Sequence, residues 1–333
     1  MIPQKFLKFF TLIFLSSFLF SIETTSDFRG KVTDNFGNSL QGANVTITNV
    51  GTNISSSTTT NETGNFIISN LSVGGPYTIL ITSSVGSQRY EDVFLNLGQT
   101  LALNVTLRDF EQLVVTGAQV SQAQVAIGPN TIFNEIDLET TPSIERDIKE
   151  VLLSDPRFTI NPDNRRALSC NGSHPRLNGF TLDGVALTDG FGLNSNGYPT
   201  TRMPFSYDAV QQVAVEFAPF DVQYGNFQAC AINAVTKSGT NEISGNAFYE
   251  YAGDELAGNK YGDNTFTPVP YEESKVGFTL GGPMIQDKAF FFLAVERYDQ
   301  VDTSPYGPLG SGAPNEQDFI SMSMYNEIID IMK

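Results

Sequence analysis

Between residues 27 and 108, apolar and polar positions alternate in short runs that are separated by turn residues. The last run is the clearest, because every second residue from Leu101 to Leu107 is apolar and the residues between them are small or polar. Such alternation places the apolar side chains on one face of a strand. Turn signals recur at a spacing of roughly ten residues without a helical pattern, so this segment is predicted to form a small antiparallel β-sandwich.

The pattern changes between residues 109 and 239. In residues 143–158 the apolar positions follow a helical spacing up to Asp155 and Pro156, which predicts one amphipathic helix that ends there. Strand-like runs broken by glycine-rich turns follow, the last of them at Ile232–Lys237. A mixed α/β domain with long loops is therefore predicted for 109–239.

From residue 240 onwards the alternation returns in longer runs. One run begins at Glu242, and a second leads into a tight turn predicted at Pro283–Lys288. The densely apolar run Ala289–Val295 contains three consecutive phenylalanines, which exposed edge strands of soluble proteins avoid and membrane-barrel strands accommodate. The first strands of a transmembrane β-barrel are predicted for 240–333, with a buried strand of a soluble sandwich as the alternative. A helix capped by Asn315 is predicted to follow them.

The charge balance and the first residues bear on partners and compartment. With 36 acidic and 19 basic residues the chain has a formal net charge of −17, which argues against nucleic acid as a partner because phosphates need a basic surface. Residues 1–26 contain Lys5 and Lys8, then an apolar run over 9–20, then small polar residues. This is the pattern of a secretory signal peptide, so export is expected.

The chain has two cysteines, Cys170 and Cys230. Because an exported protein meets oxidising conditions, a disulfide between them is a candidate. It would close a loop of 230 − 170 = 60 residues. In the chain-entropy model such a loop stabilises the fold by about 3–4 kcal/mol. The single histidine, His174, does not complete a ligand set with them, so no metal site and no cofactor are expected.

Enzymatic activity is not expected. Asp183 and Asp189 could be imagined as paired carboxylates, but both lie in glycine-rich turns, where aspartate commonly fixes backbone geometry. His174 has no evident partner that could activate a nucleophile. No catalytic residue is therefore assigned.

Two stretches within 27–108 point to a known domain. The sequence GKVTDNFGNSLQGANVTI is followed by TNETGNFIISNLSVGGPYTI. The order of their glycine, valine and aromatic positions resembles the carboxypeptidase regulatory-like domain. The resemblance implies a prealbumin-like β-sandwich that is not itself a peptidase.

Five motifs between residues 113 and 241 occur in the order LVVTG, IKEVLLSDPRF, LDGV, VQQVAVEFAPFDVQYG and INAVTKSGTN. Together they resemble the plug domain of TonB-dependent outer-membrane receptors. The resemblance implies that Leu113, Val114, Val115 and Thr116 couple the protein to TonB, although a plain strand inside the plug is the alternative for them. The plug-motif residues that the resemblance implies are Arg176 (a loose match), Asp183, Gly184, Tyr224, Gly225, Lys237, Ser238 and Gly239.

The hairpin sequence GGPMIQDKAFFF resembles the opening hairpin of the Oar-like branch of the same receptors. The resemblance implies a mostly β protein made of a prealbumin-like β-sandwich, an α/β plug domain and the first strands of a β-barrel. Residues 240–333 number 333 − 240 + 1 = 94, which suffices for only about three membrane strands. Plugged transporters have about 22 strands, so the barrel is expected to be incomplete in this chain.

The implied function is that of the N-terminal portion of a TonB-dependent transporter in the outer membrane. The plug would gate the barrel during active uptake. Its expected partners are a TonB-type energy-transducing protein, outer-membrane lipid and a solute that the sequence does not identify. The alternative is an exported surface or periplasmic binding protein whose β-sandwich binds carbohydrate or protein.

Overall fold

The computed structural model describes residues 24–108, 112–115, 129–161, 167–189, 194, 197–200, 202–217, 227–265, 270–302, 306–313 and 315–332. Most of them lie in β-strands, which confirms the mostly β character of the predicted fold. None of the helices in these ranges is long and apolar enough to cross a membrane. The predicted signal peptide lies almost entirely outside them. The chain forms two compact units, Met1–Ser244 with Thr279–Ala294 and Gly245–Phe278 with Val295–Lys333.

The first domain, here called the sandwich, consists of two sheets. Its own strands are β1 (Thr25–Thr33), β2 (Asn44–Asn49), β3 (Ser55–Thr59), β4 (Asn65–Ser72), β5 (Gly74–Thr82), β6 (Ser87–Leu95) and β7 (Thr100–Thr106). An eighth strand from the following segment, β8 (Gln112–Val115), joins one of the two sheets. They are ordered β4-β1-β7 in one sheet and β3-β2-β5-β6-β8 in the other. Alternate side chains of both sheets share one core around Phe28, Ile47 and Ile79. All four apolar side chains of the run 101–107 are buried, which confirms their predicted facing.

The second domain, here called the middle domain, is built on a mixed sheet. Its elements are β9 (Asn130–Phe133), α1 (Glu135–Thr140), α2 (Ile148–Leu152), β10 (Phe158–Asn161), β11 (Ala167–Cys170), β12 (Gly179–Leu182), β13 (Val185–Ala186), β14 (Val210–Glu216) and β15 (Ala231–Thr236), with 3₁₀ turns at Pro175–Leu177 and Tyr207–Ala209. Five strands pair in the order β13-β12-β15-β14-β9, and β10 pairs with β11. The central strands β14 and β15 are buried almost throughout, because one face of the sheet packs on the core of the middle domain and the other meets Val73 and Leu97 of the sandwich.

The prediction of a single helix over residues 143–158 is wrong, because the helix in the structure is much shorter. The only α-helix there is α2, which is five residues long. Arg146 has a φ of 55°, a left-handed conformation that an α-helix cannot contain. The helix therefore starts after Asp147, whose carboxylate accepts the N–H of Lys149 at 3.0 Å. Ile144, predicted on the apolar face, is 85% exposed as a result.

The remaining elements follow the middle domain. They are β16 (Ser244–Gly253), a 3₁₀ turn (Asp254–Leu256), β17 (Lys260–Tyr261), β18 (Asn264–Thr265), β19 (Tyr271–Ile285), β20 (Ala289–Asp302), β21 (Tyr306–Leu309), β22 (Asn315–Ser321) and α3 (Met322–Met332). The strands β16, β19 and β20 form one sheet in that order.

Two predictions for this region need correction. Pro283 lies within β19, so the turn of the hairpin comprises only the residues between Ile285 and Ala289. The helix predicted to be capped by Asn315 begins at Met322 instead. The seven residues before it form β22, because their backbone pairs in parallel with β21.

Candidate functional site

The predicted TonB-coupling segment lies in β8, at the edge of the sandwich. Gln112–Val115 pairs in parallel with Ser87–Tyr90 of β6, so that Leu113 is opposite Gln88 and Val114 is opposite Arg89. Thr116, the last residue of the predicted segment, falls outside the described residues. The segment is thus a strand of the sandwich sheet, and it is not a strand of the middle-domain sheet.

Asp183 and Gly184 form the turn between β12 and β13. Both have positive φ values, 49° and 77°, which favour a short polar residue and a glycine at these positions. The Asp183 carboxylate accepts the backbone N–H of Thr236 at 2.9 Å and the hydroxyl of Thr236 at 2.8 Å. Its own N–H donates to the carbonyl oxygen of Ala234 at 2.9 Å. This aspartate therefore fixes the turn to the end of β15 and has a structural role there.

Lys237 follows β15 and connects it to α1. Its ammonium group lies 2.7 Å from the Glu135 carboxylate and 3.6 Å from that of Glu139. Its backbone N–H donates to the carbonyl oxygen of Ala209 at 2.7 Å. These contacts hold the chain where it leaves the middle-domain sheet. Both glutamates are exposed, so the ion pairs orient the Lys237 side chain and contribute little to stability.

Ser238 and Gly239 come next, and only the glycine is buried. A Cβ on Gly239 would collide with the backbone carbonyl oxygen of Phe291 and would lie 2.7 Å from that of Gly282. Gly239 is therefore required because the backbone of the β19–β20 hairpin passes directly against it.

Asn241 lies two residues further on and joins the hairpin turn to the sandwich. Its side-chain amide donates to the Asp287 carboxylate at 2.9 Å, and its side-chain oxygen accepts the Asp287 N–H at 2.9 Å. The backbone N–H of Asn241 donates to the carbonyl oxygen of Gly51 at 2.8 Å. Residues 239–241 therefore connect the sandwich, the middle domain and the β19–β20 turn.

The two cysteines are joined in a disulfide. Cys170, at the end of β11, and Cys230, directly before β15, have Cα atoms 6.3 Å apart and are both fully buried. The bond ties the β10–β11 hairpin to the central sheet. Arg176 is exposed in the adjacent 3₁₀ turn, and its backbone N–H donates to Nδ1 of His174 at 3.3 Å.

Two further predicted residues, Tyr224 and Gly225, lie outside the described residues. The predicted plug-motif residues are thus not gathered at one point. Asp183, Lys237 and Gly239 surround the end of β15, whereas Arg176 lies beside the disulfide.

Sequence reasoning missed a buried polar cluster at Asp155. The guanidinium group of Arg157 donates to both carboxylate oxygens of Asp155, at 2.9 Å and 2.6 Å, and lies 3.5 Å from the ring centroid of Phe217. The hydroxyl of Thr131 donates to the same carboxylate at 2.8 Å. These hydrogen bonds, above all the one from Arg157, hold the pKa of Asp155 well below its usual range. The sequence predicts only a helix end at Asp155, because Thr131 and Phe217 are both far from it in sequence.

A second missed cluster lies around Tyr198. Its hydroxyl donates to the Asp147 carboxylate at 2.9 Å, and the ammonium group of Lys149 is 4.0 Å from the centroid of its ring. Burial, with the Asp147 charge adding to it, raises the pKa of Tyr198 well above its usual value. Nearby, burial raises the pKa of Tyr207 to about 12. The Tyr198 hydroxyl therefore stays protonated and acts as a hydrogen-bond donor.

The sandwich and the middle domain are in direct contact. Gln212, in β14 and 2% exposed, accepts the backbone N–H of Leu97 at 2.6 Å and donates to the side-chain oxygen of Asn134 at 2.5 Å. Around it Val73 and Leu97 of the sandwich share an apolar cluster with middle-domain residues. This contact fixes the C-terminal end of β6 to the central sheet of the middle domain.

The chemistry of these groups is structural. Within the described ranges no three His, Cys, Asp or Glu side chains gather into a group that could hold a metal ion. The carboxylates of Asp155, Asp183 and Asp147 all accept hydrogen bonds that fix backbone or side chains. What the arrangement can do is hold a strand-like segment at a sheet edge and join three parts of the chain at 239–241.

Two protein families match parts of the chain. Residues 27–108 match the carboxypeptidase regulatory-like domain, and residues 235–310 match the outer membrane beta barrel domain. The TonB-dependent transporter Oar of Myxococcus xanthus is 32% identical over 132 residues, which are 38% of this chain and 12% of Oar. The chain therefore spans only a small part of the length of that relative.

Two solved structures are also similar. The outer membrane transporter YddB from Escherichia coli has a TM-score of 0.41 at 15% identity, over 53% of this chain and 27% of YddB. The siderophore receptor PirA from Acinetobacter baumannii has a TM-score of 0.39 at 20% identity, over 52% of this chain and 25% of PirA. Neither TM-score is high enough to establish a shared fold. By its sequence matches, the chain is an outer-membrane protein related to the TonB-dependent transporter Oar, and it combines a carboxypeptidase regulatory-like domain with an outer membrane beta barrel segment.

Proposed function

We propose that the chain is the N-terminal portion of a TonB-dependent transporter that takes up a solute across the outer membrane by active transport. The observation that carries the proposal is its sequence identity with Oar, together with a barrel-domain match that starts where the middle domain ends. The transported solute is not part of the proposal.

In this proposal the middle domain is the plug that closes the barrel. A barrel of about 22 strands encloses a lumen that would leak solutes unless it were filled. The contacts of 239–241 support this role, because they hold the exit of the middle domain against the backbone of the β19–β20 hairpin. Gating then requires that part of the plug move while this junction stays in place.

The coupling role is assigned to Leu113, Val114, Val115 and Thr116. A short extended segment can bind a partner strand through main-chain hydrogen bonds, which is recognition by β-augmentation. Support comes from the strand conformation of the described part of the segment and from its lack of charged residues. The partner is a TonB-type energy-transducing protein.

Proline substitution tests this coupling role. Successive residues of a strand direct their backbone groups to opposite sides, so Val114→Pro and Val115→Pro, made separately, remove donors from both edges. We expect at least one of them to abolish growth-linked uptake, with the protein still present in the outer membrane. Val114→Ile and Val115→Ile are the matched controls, because they keep both the N–H group and the strand propensity.

The readout has to work without a known solute. Depletion of medium components by wild-type cells and by cells lacking the gene identifies the solutes whose uptake depends on this protein. Uptake of those solutes is then measured in each variant. Full energy-dependent uptake by both proline variants would exclude the coupling role, and identical depletion by the wild type and the deletion strain would exclude transport.

A further inference from the structure

The edge of β6 that pairs with β8 leaves room for the incoming backbone. Gly86 directly precedes β6, and a Cβ there would collide with the carbonyl oxygen of Arg108, the residue from which the chain runs on towards β8. The absence of a side chain at Gly86 therefore lets the incoming backbone approach β6 closely. From Ser87 to Tyr90 the register with Gln112–Val115 is then continuous, without a bulge.

The other edge of β8 has no strand beside it in the described part of the chain. Because backbone groups in a strand point alternately to its two sides, β6 can satisfy only about half of those of β8. The sequence Gln-Leu-Val-Val contains no charge and no proline, the residues with which natural proteins protect such an edge. An edge of this kind is a template for one more strand.

The sandwich sheet that contains β8 is held against the middle domain by direct contacts. Two residues after the end of β6, Leu97 is 1% exposed, and its N–H donates to the side-chain oxygen of Gln212 in the middle domain at 2.6 Å. A strand that adds to β8 would therefore extend the sandwich sheet, which the hydrogen bond between Leu97 and Gln212 joins to β14 of the middle domain.

We propose that the sandwich presents the coupling segment, so that the partner strand adds to the outer edge of β8 as the sixth strand of the sheet β3-β2-β5-β6-β8. This proposal rests on the proposed function, because it takes the partner to be the TonB-type protein. It assigns to the carboxypeptidase regulatory-like domain the role of a platform that orders the segment before binding. A segment that is already ordered loses less conformational entropy when it binds.

A reversible cross-link tests the platform. Ser87 and Gln112 are opposite each other in the register and lie outside the coupling residues 113–116. Neighbouring strands are about 4.8 Å apart, a separation within the Cα range that a disulfide spans. S87C/Q112C therefore locks β8 onto β6 and leaves the outer edge of β8 open, and S87C alone is the control.

The measured quantity is the Kd of the purified chain for the periplasmic domain of the host's TonB-type protein, with and without the cross-link. We expect the locked protein to bind as well as the control or up to about tenfold more tightly. A Kd more than threefold weaker in the locked form would overturn the proposal, because it would mean that β6 occupies the edge that the partner needs. Failure of the cysteines to cross-link under oxidation would overturn it as well.

The proline variants separate this proposal from the proposed function. If Val114→Pro and Val115→Pro both leave the Kd unchanged, the coupling role itself is wrong. If they weaken binding while the locked protein also fails to bind, the coupling role stands and only the platform is wrong. Proline-sensitive binding that survives the lock supports both.

Discussion

Among single residues, Asp155 is the carboxylate whose stabilisation by neighbouring hydrogen-bond donors is easiest to test. Its carboxylate is 7% exposed and accepts hydrogen bonds from Arg157 and Thr131. Arg157 is about one third exposed, so solvent partly screens its electrostatic attraction to Asp155. The pair of hydrogen bonds and the contact with Phe217 nevertheless fix the position of the guanidinium group. The cluster thereby fixes the segment after α2 to β9, the edge strand of the sheet.

We predict that Asp155→Asn lowers the free energy of unfolding by about 2 kcal/mol at pH 7, the range for hydrogen bonds to a charged group. The pKa of Asp155 is lowered in the folded state, so its contribution is complete above the unfolded pKa of about 4 and is lost as the pH falls further. Denaturant unfolding at a series of pH values from 7 to 3 measures it. The difference between wild type and variant should be constant above about pH 5 and shrink below about pH 4.

Asp92→Asn is the matched control for this prediction. Asp92 is exposed in β6 and has a φ of 56°, which asparagine also tolerates. We expect its effect to stay within about 0.5 kcal/mol at every pH. A difference for Asp155→Asn that persists unchanged down to pH 3 would show that the carboxylate charge is not what stabilises the cluster.

At the scale of elements, the approach of the β19–β20 hairpin to residue 239 depends on one glycine. The obstacle to a side chain there is the backbone of Phe291 and Gly282, which cannot turn away as a side chain could. We predict that Gly239→Ala destabilises the chain by about 2–3 kcal/mol, as other overpacking substitutions do. The loss of folded protein in the outer membrane and the lowered Tm both report it.

Gly258→Ala is the control at this scale, because no atom lies within 4 Å of a Cβ at that position. It should leave the amount of folded protein and the Tm unchanged within error. Equal behaviour of the two alanine variants would mean that the hairpin backbone does not approach residue 239 in the membrane.

Elements whose pattern is local could be predicted from the sequence. The alternation from Leu101 to Leu107 predicts β7 and its buried face, since a strand in a sandwich needs only one apolar side. The extent of the helix at 143–158 could not be predicted, because Arg146 has a left-handed conformation and its guanidinium pairs with Asp208, far away in sequence, at 2.6 Å. The start of α3 was missed for a similar reason, as β22 forms through pairing with another segment.

The candidate site shows the same limit. The short motifs located Asp183, Lys237 and Gly239, and the structure brings these around the end of β15. The pairing of β8 with β6 could not be derived, because strand partners far apart in sequence are not encoded in either segment alone.

For the molecule as a whole, the sandwich and the middle domain of the first unit are joined through one interface that has an apolar and a polar part. Its apolar part is the cluster of Val73, Leu97, Ala214 and Val235, and its polar part is the side chain of Gln212. Gln212 is 2% exposed, so its amide cannot be replaced by water without reorganisation of the interface. The side chain acts across 212 − 97 = 115 positions of sequence, which also explains why no sequence pattern pointed to it.

We predict that Gln212→Ala leaves the buried N–H of Leu97 without its acceptor and weakens the interface by about 1–3 kcal/mol. Each 1.4 kcal/mol corresponds to a factor of about ten in hydrogen-exchange protection, so the protection factor of the Leu97 amide should fall by about fivefold to about 150-fold. Amides in the middle of β2 and β5 should keep their protection, because the sandwich core does not include Gln212.

Gln228→Ala, at an exposed position of the middle domain, is the control and should change neither the protection of Leu97 nor that of β2 and β5. Unchanged protection of Leu97 in Gln212→Ala would mean that this hydrogen bond does not help to hold the sandwich to the middle domain. The platform for β8 would then not depend on this hydrogen bond.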